Sequence, residues 1–208
     1  MYIPESYKNE NIEEVKEFLK ANSFGILINQ VDGKISGTHI PMELDKDENG
    51  EDVLVGHIAK RNPQAKNFTE KAEVLAIFNG PHSYISSSWY QKEDVPTWNY
   101  IAVHVYGTIK IIEGEELFEA MKKLVDKYEQ NSANPVSVDK MSSKTLQQIN
   151  GVVGFSIKIK EVQAAYKLSQ KHDETDYRTI TSELKKNGDS SSISIAEEMR
   201  KVKEEPNN

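Results

Sequence analysis

Glu73 to Gly107 reads EVLAIFNGPHSYISSSWYQKEDVPTWNYIAVHVYG, and this stretch decides the architecture. Val74 to Phe78 has the β-branched and aromatic content of a strand buried on both faces. Ile101 to Ile112 alternates, so that Val103, Val105 and Gly107 share one face and His104 turns away from it. Between the two runs lies an insert holding Pro81, His82, Tyr84, Trp89, Tyr90, Pro96, Trp98 and Tyr100, with both tryptophans of the chain among them. A mere connection would be short and polar. Aromatic side chains with polar tips, held by prolines, suit a wall around a flat, partly polar ligand. Packing of those rings on the protein's own barrel is the other reading, and the residues alone leave both open.

Upstream, Asn9 or Asn11 caps a helix that ends near Asn22 and carries Ile12, Val15, Phe18 and Leu19 on one face. Phe24 to Asn29 forms a strand, Asp32-Gly33 turns the chain, and Ile35 to Leu44 pairs back on it. Asp45 to Asp52 (DKDENGED) lacks the ligand spacing of a calcium loop and reads as a solvated acidic turn. Val53 to Ile58 is the third strand. Asn62 as cap and Pro63 at the first position then open a short helix through about Phe68. Lys60 and Arg61 beside that helix start, with free backbone N–H groups, suit an anion, and a phosphate monoester is the natural occupant. A solvent-exposed cation pair at a turn is the alternative.

Downstream, Glu115 to Gln130 is amphipathic, and its stripe through Leu117, Met121, Leu124 and Tyr128 suits it to cover an open side of a barrel. Ser132 to Met141 is a loop, Ser142 or Ser143 caps a short helix ending near Asn150-Gly151, and Val152 to Val162 alternates as a half-buried final strand. Asp173 caps a helix bearing Tyr177, Ile180 and Leu184, with Gly188 past its end. Asp189 to Ser192 reads as a flexible connector, and Ser194 with Glu197 as the capping box of a last helix to about Lys203. From Lys201 through Pro206 the chain is expected to fray into solvent.

Composition narrows the function. The 208 residues suffice for one sizeable core, and a single domain is expected over 1–170, with a helical extension over 171–208 packed on it. The absence of cysteine removes disulfides, thiolate zinc and thiol catalysis. Neither a secretory leader nor a membrane span is legible, so the chain is expected in the cytoplasm. A net charge of −7 opposes autonomous DNA binding, because phosphate attraction supplies most non-specific affinity. Ser86-Ser87-Ser88 forms no nucleophile elbow, and no glycine-rich dinucleotide loop occurs, so a nicotinamide nucleotide could only be a passing substrate. His39 and His57 lie on neighbouring strands and converge on a common pocket in this reading, although neither shows metal-ligand spacing.

Residues 73–107 closely resemble the PaiB family, FMN-binding split-barrel proteins labelled negative transcriptional regulators. The resemblance continues at Met1-Tyr2-Ile3-Pro4, Thr38-His39-Ile40-Pro41, Gly56-His57-Ile58-Ala59, Arg61-Asn62-Pro63-Gln64 and Lys167-Leu168-Ser169-Gln170. It implies a mainly β (α+β) fold, an antiparallel split β-barrel with flanking helices, working as a homodimer with FMN. It also implies roles. Lys60, Arg61 and Asn62 hold the FMN phosphate; Thr38, His39 and His57 meet the edge of the ring; Trp98 and Asn99 come from the partner subunit; Ser169 and Gln170 close the site. Lys171-His172 departs from the Asn and Arg common in the family, which weakens the C-terminal assignment. DNA is the partner that the regulatory label implies, against the charge. An FMN-dependent oxidoreductase resembling flavin reductases, or a heme-binding split barrel, are the alternatives.

Overall fold

The computed structural model describes residues 1–70 and 72–204, of residue 204 the backbone alone. In chain order the elements are α1 (Ile12–Ala21), β1 (Phe24–Val31), β2 (Lys34–Lys46), β3 (Asp52–Ala59), β4 (Glu73–Ile85), β5 (Thr97–Ile112), α2 (Gly114–Glu129), α3 (Ser143–Leu146), β6 (Val152–Lys167), α4 (Glu174–Asn187) and α5 (Ser190–Glu204). The strands form a closed barrel in the order β1-β2-β3-β6-β5-β4. Where residue register is defined, the pairs are antiparallel, with Ile26 opposite His39, Met42 opposite Gly56 and Gly56 opposite Phe155. The expected antiparallel split barrel with flanking helices is thus the observed fold. No helix of the described residues is long and apolar enough to cross a membrane.

The chain divides into two units. One, Leu19–Phe78 with His104–Val162, contains the barrel pairing. The β1–β2 hairpin closes as foreseen on Asp32 and Gly33, whose φ of 50° and 76° is the left-handed geometry such a two-residue turn demands. Alternate residues point inward: Leu27, Met42, Leu54, Ala76, Val105 and Ile157 are fully buried, and Phe68 meets Phe155 edge to face at 5.4 Å. Gly107 allows β5 to lie against β6, since a Cβ there would run into the backbone carbonyl of Lys158. Helix α2 carries the expected stripe and lies against β6, where the Leu117 side chain fills the space above Gly154. No residue of α2 is fully buried.

The other unit comprises Met1–Phe18, Asn79–Val103 and the described chain from Gln163. Its core gathers Val15, Phe18, Ile85, Ile101, Leu168, Tyr177, Ile180, Leu184, Ile195 and Met199, all at most 8% exposed. Asn11 caps α1 through Glu14 N, and Asp173 caps α4 through Thr175 N and Asp176 N, as their sequences predict. Gly188 ends α4 with φ 76°.

Two expectations give way here. Half of the tryptophan-bearing insert is strand: β4 continues through Ile85 and β5 begins at Thr97, leaving the stretch 86–96 to connect them. Burial alternates there, Ser83 and Ile85 inward with Tyr84 outward, and Asn99 and Ile101 inward with Trp98 outward. Asn79-Gly80-Pro81 has the composition of a break, but Gly80 is there because a Cβ would sit 2.6 Å from the Phe18 ring. The expected connector Asp189 to Ser192 is instead the start of α5. Asp189 caps it through Ser192 N at 2.9 Å, and Ser191 donates to His82 O while accepting from His82 N. Of the fraying expected over 201–206, residues 201–204 instead continue α5, and 205 and 206 lie outside the described residues.

Candidate functional site

The turn after β3 is held from below. Asn62 N reaches Ala59 O at 2.8 Å, Lys60 N reaches Gly151 O at 2.8 Å, and the Asn62 carboxamide accepts from Gln64 N and donates to Thr38 Oγ1 at 2.8 Å. Gln64 is the anchor. It has no solvent exposure, and its Nε2 lies within hydrogen-bond reach of Leu27 O, Asn29 Oδ1 and Ser36 O, at 3.2, 2.8 and 3.1 Å. Thr38 Oγ1 donates to Gln64 Oε1, and Asn29 Nδ2 to Gln64 O. One glutamine therefore ties the turn to both strands of the β1–β2 hairpin, and a buried network satisfied in this way is stiff.

On this support Lys60 and Arg61 are exposed, and neither side chain has a hydrogen-bond or ion-pair partner among the described residues. The helix beyond them is a single 3-10 turn, Pro63–Asn67, whose Gln64 N–H is already taken by Asn62. The dipole and free N–H groups expected from the sequence contribute little, and attraction for an anion rests on the two side chains. A dianionic phosphate suits two unpaired cations on a preorganised turn.

His39 and His57 both lie on the outer face of their strands, whereas Thr38 faces the Gln64 network. The His39 ring stacks on Phe24 at 6.2 Å. His57 lines a groove of about 210 Å³ between β2, β3 and α2, with Val55, Leu117 and Leu124 among its walls and the ion pairs Lys127–Glu43 and Lys123–Asp45 at its rim. Burial holds the His57 imidazolium below its ordinary value, so the ring is neutral near pH 7.

The remaining expected residues stand in the other unit. Trp98 is 52% exposed, with the rings of His82 and Tyr84 each 6.0 Å away, an accessible aromatic cluster of the kind that packs on a planar ring. Asn99 is fully buried, and its Nδ2 donates to Ser169 Oγ at 2.9 Å. Ser169 adopts φ 59°, and Gln170 caps the same turn by accepting from Leu168 N and donating to Tyr166 O. The Asn99, Ser169 and Gln170 side chains are thus spent within the fold. Among the described residues no three His, Asp or Glu side chains gather as metal ligands.

Sequence reasoning quoted Gln64 and gave it no role, because a polar residue in a short helix carries no periodic sign of burial. It named Tyr90 and His172 without pairing them, although their rings stack at 4.6 Å, and it passed over the Asp176 carboxylate that accepts from Gln91 N and fixes the middle of the 86–96 connection.

Comparison with known proteins bears on this arrangement. The family model described as "Putative FMN-binding domain" matches residues 1–161. A curated Bacillus subtilis protein named "Protease synthase and sporulation protein PAI 2" is 44% identical over 200 residues, covering 96% of each chain. An uncharacterised protein of Emericella nidulans is 27% identical over 96% of each chain. Among solved structures, the flavocytochrome Anf3 of Azotobacter vinelandii superposes with a TM-score of 0.59 at 18% identity, over 83% of this chain and 75% of that one. A FAD and heme binding protein of Mycobacterium smegmatis does so with a TM-score of 0.59 at 12% identity, over 83% and 78%. At such identities the structural likeness speaks for the fold.

Proposed function

The chain belongs to the PaiB family of FMN-binding proteins, and from that membership we propose a flavin-binding regulatory protein that seats the FMN phosphate on Lys60 and Arg61. FMN is the cofactor the family carries. One observation supports the seating above all: two cations without a partner among the described residues stand on a turn immobilised by a fully buried glutamine. Such a turn is ordered before the ligand arrives, so binding does not have to freeze it. Bound FMN supplies a ring that accepts and returns electrons. The chain's own residues bind and orient it. Lys60 and Arg61 neutralise the phosphate, Asn62 and Thr38 hold the turn, His39 and the neutral His57 offer ring nitrogens to flavin heteroatoms, and the exposed Trp98 serves the flavin of a second copy, while the buried Asn99 beside it only holds the Ser169 turn. Ser169 and Gln170 shape the C-terminal turn of the unit that carries Trp98.

A homodimer is part of this reading. The outer face of β1, β2 and β4 is apolar: Phe24 is 64% and Ile35 82% exposed, and Ile26, Ile28, Leu75 and Ile77 are half-buried. The register sets Ile26 between His39 and Ile77, and Ile28 between Gly37 and Leu75, so the patch is continuous across three strands. A face of this kind is commonly covered in an assembly. The regulatory role leans on the Bacillus subtilis relative, whose name ties it to protease synthesis and sporulation, and the proposed compartment is the cytoplasm.

The test is the absorption spectrum of the protein as isolated, followed by retention on DNA from a protease or sporulation promoter. Flavin absorbance, with DNA retention that weakens as salt rises, is expected. A Soret band in place of flavin would overturn the cofactor reading; flavin that bleaches with NADH, without DNA retention, would favour the oxidoreductase.

A further inference from the structure

The end of β6 and the N-terminal segment together hold a second concentration of positive charge, in a unit of its own. Lys8 bridges to Ala165 and Asn9 N reaches Ala164 O at 3.0 Å, which pins the segment carrying Tyr7. Lys167 Nζ lies 5.7 Å and Lys171 Nζ 5.4 Å from the centroid of the one Tyr7 ring. The two lysines reach the same ring because the chain reverses between them at Ser169, in left-handed geometry that its hydrogen bonds to the buried Asn99 hold in place.

The lysines of this acidic chain fall into two groups, those that face a carboxylate and those that do not among the described residues. Lys8, on the same segment as Tyr7, is paired with Glu10, and Lys46, Lys122, Lys123, Lys127, Lys158 and Lys160 each face a carboxylate. Lys167 and Lys171 have none among the described residues. Lys167 is half-buried and donates to the Thr97 hydroxyl, which orients the ammonium and leaves its charge uncompensated. Burial holds that ammonium below its usual value. The Tyr7 hydroxyl also has no partner among the described residues. Two like charges at one ring repel, the ring's face offsets this only in part, and a bridging anion removes the cost.

We propose that Lys167, Lys171 and the Tyr7 hydroxyl form an anion-binding site for a phosphate-bearing small molecule, additional to the Lys60–Arg61 seat. Separate ammonium point charges suit the spread oxygens of a phosphate or diphosphate better than the flat fork of a carboxylate, which arginine matches. The unpartnered phenol adds a neutral donor. FMN has a single phosphate, assigned to the other turn, so the occupant here is a second phosphorylated molecule.

Inorganic pyrophosphate is the probe. The protein as isolated, labelled with 13C at the lysine ε-carbons, is titrated with pyrophosphate and, separately, with sodium chloride at matched ionic strength. Saturable shifts confined to Lys167 and Lys171 are expected with pyrophosphate alone, weakened about tenfold or more by Lys171→Gln, a change at an exposed position. Equal, non-saturating shifts with both salts would overturn the site. FMN titration of Lys167→Gln/Lys171→Gln separates this claim from the flavin reading. Unchanged FMN affinity is expected, and loss of FMN binding would show that these lysines belong to the flavin seat and end the claim of a second site. Failure of the wild-type chain to bind FMN would overturn the flavin reading and leave the pyrophosphate result standing.

Discussion

Gln64 Nε2 lies 2.8 Å from Asn29 Oδ1 at a position with no solvent exposure, and this contact couples the turn carrying Lys60 and Arg61 to the first strand of the barrel. Gln64→Leu fills the volume but abandons Asn29 and the carbonyls of Leu27 and Ser36. Unpaired buried groups of this kind cost about 2–4 kcal/mol together. The midpoint of urea unfolding should fall accordingly, and FMN affinity with it, because the turn loses its support. Unaltered stability would show that the network is not what holds the turn.

Gly107→Ala puts a methyl group against the backbone carbonyl of Lys158, which unlike a side chain has no rotamer to yield. A loss of about 3 kcal/mol is expected. Gly151→Ala, where nothing lies within 4 Å of the added Cβ, is the control and should unfold close to the wild-type midpoint. Equal midpoints for the two variants would contradict the close approach of β5 and β6.

His57 gives stability a pH dependence whose sign follows from burial. Its folded value lies below the ordinary 6.5. As pH falls through 6.5 the unfolded chain takes up a proton that the folded site resists, so stability drops until the folded value is reached and then levels off. Above that window neither state is charged and the contribution is constant. His57→Gln should therefore lose less stability than the wild type between about pH 7 and pH 5.5. Identical losses in urea titrations at the two pH values would refute the buried, neutral imidazole.

Asp173→Ala removes an oxygen that accepts from both Thr175 N and Asp176 N, each at 3.0 Å. About 1 kcal/mol is expected. Circular dichroism should show the thermal midpoint falling; a midpoint equal to the wild type would mean that the first turn of α4 is held by something other than its cap.

The barrel was legible because its signals are local: Asp32-Gly33 permits only a tight hairpin, and the alternation around Val103 and Val105 gives the inward face directly. The Asp173 cap was legible for the same reason, and the caps of α1 and α3 each as one of a pair, Asn9 or Asn11 and Ser142 or Ser143, of which Asn11 and Ser142 make the bonds. The true ends of β4 and β5 were hidden, since Gly80 and Pro81 look like a break until the Phe18 ring that claims the space above Gly80 is known. Asp189 likewise looks like part of a linker until Ser191 and Ser192 are seen bonded to His82 and Ser83. In the candidate site, the cations at 60 and 61 could be named from sequence, but the burial of Gln64 depends on three acceptors far away along the chain. So does the meeting of Lys167 and Lys171 over Tyr7, which needs a reversal at a serine that nothing local announces.

The central claim is that Lys60 and Arg61 hold a phosphate, and FMN differs from riboflavin by that group alone. Fluorescence titration of both flavins into the wild type and into Lys60→Ala/Arg61→Ala tests it most directly. The account predicts that the wild type prefers FMN by about a hundredfold or more, and that the double variant binds the two alike while keeping its riboflavin affinity. A double variant that retains the full preference for FMN would contradict it.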